Sequence, residues 1–426
     1  SHCNSAGAQA IMFSLIFRAA IAAMLVIHAI GAPAADSIKL AYIVGLSGPY
    51  ALPGEERVKT LQLAADRVNA RGGVLGGRKL EIVPLDNKGN PQEALIVLKH
   101  AIDQDILFVT ASVSNIAHAV SDAVVKYNAR NPDRPVIFLD LSGLDPALTE
   151  ANCNFWHFRF EAHSDMQVHV LTEYMAKQAS VHKVYLLNQD YAYGQAVSRA
   201  ARAMLAAKRP DIEIIADELV PLGKVRDFAP YVAKIKASGA DSVVTGNWGT
   251  DLTLLIKASN ETGLKATFYT LLAGIPGTPV AIGSMGANRV KTVAPWHINA
   301  ADAGWEKNLL AGKSKYRSLS NLDYLPSFRL VDMLATAINT VGSLNALEIA
   351  TTLEGLHYAG PSGDSWIRPE DHQMMVPIYL LSFVKAGQPG AKLDEEGTGY
   401  GWKTELLLAA RDTAPAIKCK MERPSR

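Results

Sequence analysis

The stretch that decides the fold runs from Ile38 to Gly73 and reads IKLAYIVGLSGPYALPGEERVKTLQLAADRVNARGG. Ile38–Val44 is mostly apolar and rich in β-branched side chains, as a buried strand is. A turn follows, Gly45-Leu46-Ser47-Gly48-Pro49-Tyr50. Beyond it Val58, Leu61, Ala65 and Val68 recur on one face at helical spacing. A strand, a glycine-rich loop and a helix start suggest a nucleotide fingerprint, but the details exclude one. G-x-G-x-x-G needs bare backbone beside a pyrophosphate, and its second glycine position holds Ser47. A Walker loop needs Gly-Lys-Ser/Thr, whereas Gly54 is followed by Glu55-Glu56. Those carboxylates suit a helix N-terminus and repel a phosphate. A nucleophile elbow needs glycine where Pro49 stands. What remains, beside a plain tight turn, is a loop in the crevice where open α/β sheets bind ligands. Ser47 and Tyr50 are its candidate contacts.

Outward from this unit the pattern repeats. Further strands are expected at Leu80–Leu85, Ile106–Val109, Val136–Leu139, Val184–Leu187, Ile212–Ala216, Ser242–Thr245 and Thr267–Leu271. Amphipathic stretches such as GQAVSRAARAMLAAK and DFAPYVAKIKASGA lie between them. Strands alternating with helices predict an α/β fold with parallel-rich sheets. The plan starts afresh at KVYLLNQDYAYGQAVSRA, which predicts two Rossmann-like lobes. Near the end, Pro361-Ser362-Gly363 is expected to open a hairpin and Pro377–Lys385 to form an apolar strand.

The chain has 426 residues, 49% of them hydrophobic, enough for two cored domains. Its formal net charge of +1 lacks the basic surplus of a nucleic-acid binder. FRAAIAAMLVIHAIGAPAAD places Arg18 before an apolar run and small residues after it, the layout of a secretory signal peptide over residues 1–35. The run is shorter than the roughly 20 residues of a spanning helix, so the protein is expected in the periplasm. Past it two cysteines remain, Cys153 and Cys419; an oxidising compartment favours their pairing, against two unrelated buried thiols.

Together, IVGLSGPYALPGE, AADRVNARGGVLGGRKLEIVPLD, SGLDPALTEANC, NQDYAYG and GPSGDSWIRPEDHQ resemble the periplasmic leucine/isoleucine/valine-binding family, in this order and over nearly the whole chain past the signal. The resemblance implies the type I periplasmic binding protein fold, with two lobes joined by a three-segment hinge and a ligand in the cleft. It implies lobe one at 36–158 plus 296–356, lobe two at 159–295 plus 357–410, and a tail at 411–426. It implies the receptor of an ABC importer, a monomer docking on an inner-membrane permease, with no cofactor and no metal. Family members that tie down their C-terminus support a Cys153–Cys419 bridge.

The resemblance also places the ligand. TASVSN leads from a strand into a helix, and Ser112, Ser114 and Asn115 are the candidate carboxylate grip, since a helix N-terminus suits an anion. Ser142 sits in the matching loop of the next unit. In lobe two Tyr191, Tyr193, Asn247 and Trp248 are the candidate walls. Arg159, in FWHFRFEAHSD, is a candidate hinge residue. Two departures bear on specificity. The family's ammonium-binding Glu falls near Leu272, and the Thr that joins carboxylate binding falls near Leu144. An unpaired buried ammonium costs several kcal/mol. The expected ligand is therefore an aromatic or hydrophobic carboxylic acid, unless Asp251 or another acid holds an ammonium. Branched-chain amino-acid or amide binding, or a sensing role for the same lobe pair, is the alternative. Catalysis is not expected: His157, His163 and His169 have neither HExxH nor CxxC company, and Asp371-His372 has no placed nucleophile.

Overall fold

The computed structural model describes residues 36–318, 321 and 324–424; the signal-peptide reading of residues 1–35 lies outside the described residues. The first sheet comprises β1 (Ile38–Val44), β2 (Leu80–Asp86), β3 (Phe108–Ala111), β4 (Ile137–Asp140) and β5 (His157–Arg159). It is parallel throughout, in the order β2-β1-β3-β4-β5. Its connections are α1 (Ala51–Ala70), α2 (Pro91–Asp103) and α3 (Ser114–Arg130). The chain then enters a second sheet through α4 (Ser164–Met175). That sheet begins with β6 (Lys183–Gln189), β7 (Glu213–Val220), β8 (Ser242–Thr245), β9 (Thr267–Thr270) and β10 (Val290–Ala294), all parallel. Helices α5 (Ala192–Lys208), α6 (Ala229–Ser238), α7 (Gly249–Glu261) and the short α8 (Thr278–Ile282) connect them.

After β10 the chain returns to the first sheet. Helices α9 (Ala303–Tyr316), α10 (Tyr324–Val341) and α11 (Ala346–Leu353) follow, and α10 packs on α1 through a Thr60–Ser327 hydroxyl contact of 3.1 Å. A small antiparallel sheet of β11 (His357–Gly360), β12 (Gly363–Ile367) and β13 (Met374–Met375) leads back to the second sheet. There β14 (Ile378–Lys385) and β15 (Tyr400–Leu408) add antiparallel strands, giving β15-β14-β10-β9-β8-β6-β7. The result is an α/β fold of two parallel-rich sheets crossed by the chain three times.

The crossings are tied together. Arg159 is fully buried; its N–H donates to the His372 carbonyl at 3.0 Å and its guanidinium to the Asp145 carbonyl at 2.8 Å. Gln373 donates to the Glu161 carbonyl at 2.8 Å and accepts from the Thr149 hydroxyl at 3.1 Å. Cys153 and Cys419 form a disulfide across 266 residues, with Cα atoms 5.8 Å apart. It pins the segment after β15 beside the crossings, where Arg368 also holds the Pro415 carbonyl at 2.7 Å.

The structure corrects several sequence boundaries. The Ile106–Val109 strand starts at Phe108, because Ile106 N–H still bonds the Ala101 carbonyl that ends α2, with Asp105 left-handed between them. Val136 stays outside β4 because both its backbone groups pair with the Asn128 side chain at 2.8 Å. Pro361-Ser362 does turn a hairpin, but between β11 and β12. The apolar strand at Ile378–Lys385 pairs instead with β10 and β15. Helix α1 begins at Ala51, so Glu55 and Glu56 lie past its first turn. Glu56 is buried and paired with Lys59 at 2.6 Å.

Candidate functional site

The carboxyl ends of β1, β3 and β4 face those of β6, β8 and β9 across a cleft. A cavity of about 150 Å³ lies between them, a size that holds one aromatic ring or a short aliphatic chain. The opening loop shapes one wall. A side chain at Gly54 would put its Cβ 2.1 Å from the Gly45 carbonyl oxygen, so only glycine lets α1 lie this close to the end of β1. Leu46 N–H donates to Asp86 Oδ1 at 2.9 Å, and Lys88 N–H to the same oxygen at 2.8 Å. Burial opposes ionisation of Asp86, but those amides, the Ser47 hydroxyl and the Lys88 charge outweigh it and lower its pKa. Ser47 thus serves Asp86; it is exposed and off the cavity lining. Tyr50, on the short turn before α1, lines the cavity.

The second wall is the start of α3. Val113, just before it, has φ +70°, a costly conformation for a β-branched residue and one that clusters at ligand-binding sites. Ser114 is buried, and its oxygen accepts the N–H groups of Leu144 and Asp145 at 3.1 and 3.2 Å. With both contacts in the acceptor role, its hydroxyl proton is left to donate. Ser112 and Ser142 pair as an isolated parallel bridge, and both line the cavity beside Ser114. Asp140 Oδ1 gathers the Ser142 and Gly143 N–H groups at 3.1 and 2.6 Å. A Cβ on Gly143 would meet Ala117 Cβ at 2.6 Å, so the turn is glycine-dependent. Asn115, one residue along, is exposed and off the lining.

The far wall is aromatic and apolar. Trp248 Nε1 donates to the Tyr191 hydroxyl at 2.9 Å, and the Tyr193 hydroxyl to Gln167 Oε1 at 3.4 Å. Burial drives both tyrosine pKa values upward, so both stay neutral. Trp248 reaches across the cleft to Tyr50, ring centroids 5.4 Å apart and planes tilted by 36°. Leu272 lines the cavity with Leu271 and Ile275 of the same loop, and Leu144 lines it from the opposite side. Asn247 does not line it: its side chain is fully buried, with neither amide atom bonded among the described residues.

Sequence reasoning missed Arg57 and Glu161, the two charged side chains on the lining. Arg57 follows the two glutamates that drew attention at the helix start. Glu161 is buried in the first crossing segment, where one oxygen accepts Ala162 N–H at 2.8 Å. Arg329 of α10 is buried within its field. No motif marks either residue; only the crossing of the chain brings them to the cleft. Asp251 stands elsewhere. It lines a second cavity that shares only Tyr50 and Trp248 with the first.

The histidines have structural roles. His157 Nε2 meets Asp140 at 3.1 Å, His163 Nδ1 accepts Asp165 N–H at 3.2 Å, and His372 stacks on Phe158 at 3.9 Å. Among the described residues no group of three or more His, Cys, Asp or Glu could hold a metal ion, and no helix is long and apolar enough to cross a membrane.

Comparison with known proteins places this architecture. Residues 37–388 match the family model described as periplasmic binding protein. The Leu/Ile/Val-binding protein homolog 4 of Brucella melitensis biotype 1 is 31% identical over 422 residues, covering 95% of this chain and 97% of that protein. The crystal structure of the leucine-, isoleucine-, valine-, threonine-, and alanine-binding protein from Brucella ovis, in its closed conformation, matches with a TM-score of 0.83 at 29% identity. The match covers 92% of this chain and 100% of that one. A solute binding protein of an ABC transporter from Rhodopseudomonas palustris BisB5, in complex with 3,4-dihydroxy benzoic acid, shares the fold at a TM-score of 0.76 and 17% identity, covering 88% and 98% of the two chains. The chain therefore belongs to the periplasmic binding protein family, with Leu/Ile/Val-binding protein homologues among its relatives.

Proposed function

We propose that this protein delivers a small hydrophobic or aromatic carboxylic acid to an inner-membrane ABC permease, as a monomer that closes over its ligand. The observation that carries this reading is the single-ring cavity with Ser114 at its α3 end and aromatic and leucine walls opposite. A carboxylate placed at Ser112, Ser114 and Ser142 would meet hydroxyl donors at a helix N-terminus. Arg57 adds a positive charge on the same lining. Two or three charge-assisted hydrogen bonds at about 1.5–3 kcal/mol each, with apolar contact, reach the roughly 8 kcal/mol of a micromolar complex. Closure follows because residues of both proposed lobes, 36–158 plus 296–356 and 159–295 plus 357–410, touch the same ligand only when the cleft is shut.

Glu161 favours a second reading, an α-amino acid whose ammonium it would hold; the 31%-identical Brucella relative carries a Leu/Ile/Val-binding name. Leu272, near the position where the resemblance expects the family's acid, argues for the first. Calorimetric titration of the purified protein with benzoate, 4-methylvalerate, leucine and valine separates them. Tight binding of the simple acids with no leucine binding supports the acid reading. Leucine binding that Glu161→Gln abolishes would replace it with the second.

A further inference from the structure

The second cavity, about 390 Å³, lies behind the Tyr50–Trp248 pair. Its polar wall is Asp251, in the first turn of α7, and Gln189, at the end of β6. Both side chains are 1% exposed. Gln189 Nε2 donates to Asp251 Oδ2 at 2.7 Å, and Gly223 N–H donates to the same oxygen at 2.8 Å. The amide orientation is therefore settled: its nitrogen faces a carboxylate. Two acceptors are left over, Asp251 Oδ1 and Gln189 Oε1, neither with a donor among the described residues. Two adjacent buried acceptors without donors are costly to keep unless something donates to them. Burial holds the Asp251 carboxyl above its ordinary range, against the Gln189 and Gly223 bonds. Arg226 stands at the exposed rim. The partition itself presents two aromatic rings, surfaces that attract a cation.

We infer that this cavity is a subsite for the protonated amine of an elongated ligand, held by Asp251 Oδ1 and Gln189 Oε1 behind the Tyr50–Trp248 pair. The inference rests on the acid-binding reading of the first cavity, which would hold the other end. An α-amino acid does not serve, because its two charges sit one carbon apart and the aromatic pair stands between the two sites. The fitting class is an acid with its amine several bonds away. Tyr50, half-buried on a short turn, lines both cavities.

The test is calorimetry on the full protein with two matched pairs: hexanoate against 6-aminohexanoate, and 4-methylbenzoate against 4-(aminomethyl)benzoate. In one pair at least, the amine should tighten binding tenfold or more. Asp251→Asn should abolish that gain and leave the amine-less acids at wild-type affinity. Gln189→Met, which spares the carboxylate, should reduce the gain at least threefold and serves if the first variant does not fold. Simple acids that bind while the amine adds nothing would overturn the subsite and leave the primary reading standing. Failure of all four probes would overturn both.

Discussion

Replacing Ser114 by alanine separates what its hydroxyl does for the fold from what it does for a ligand. In the fold the oxygen accepts two buried N–H groups, from Leu144 at 3.1 Å and Asp145 at 3.2 Å. A buried donor left without a partner costs about 1–3 kcal/mol, so with two of them Ser114→Ala should destabilise the protein by about 2–6 kcal/mol. On the ligand side, a hydroxyl donating to a carboxylate contributes about 1.5–3 kcal/mol, or roughly 10–150-fold in Kd. Denaturant unfolding reads the first quantity and calorimetry with 4-methylvalerate or benzoate reads the second. Ser121→Ala is the control. Its buried hydroxyl sits further along α3, accepts from Asn154 at 2.9 Å and is off the cavity lining. It should lower stability with Kd unchanged. If Ser114→Ala is destabilised yet binds within twofold of wild type, the hydroxyl is a structural cap alone and the proposed carboxylate grip is wrong.

Three other outcomes are expected. Leu272→Glu adds a second acid, beside Glu161, to the cavity lining; leucine affinity should rise at least tenfold and benzoate affinity should fall, and unchanged selectivity would remove Leu272 as the determinant. Glu395, buried in the loop between β14 and β15, has its carboxyl pushed up to about 8, chiefly by burial. Because the folded pKa lies above the ordinary 4.5, its contribution is fully present below about pH 4.5 and is lost as pH rises toward about 8. Glu395→Gln should therefore raise the melting temperature at pH 8 and leave it nearly unchanged at pH 4.5, a difference that a pH series of melts would reveal or refute. Closing a loop of 266 residues contributes about 5.6 kcal/mol in the chain-entropy account, so Cys153→Ser should melt roughly 5–10 °C lower, and the Cys153→Ser/Cys419→Ser double variant no lower still.

The sequence by itself carried the alternation of strand and helix, the restart that makes a second sheet, and the loops that end at the cleft. These are local properties: period, turn residues and β-branched runs act within a few residues of themselves. The short β5 at His157–Arg159 and the destination of Ile378–Lys385 were not legible, because strand pairing is decided by distant partners, here β4 and β10. The same limit governed the site. TASVSN marked the right helix start, yet only the fold turned Ser112 and Ser114 to the cavity and left Asn115 in solvent. Trp248 and Asn247 are neighbours in sequence, but one lines the cleft and the other is buried behind it. Arg57 and Glu161 meet at one cavity from segments a hundred residues apart. Which way a side chain points depends on backbone torsion and on what packs against it, and both are settled only when the two sheets come together.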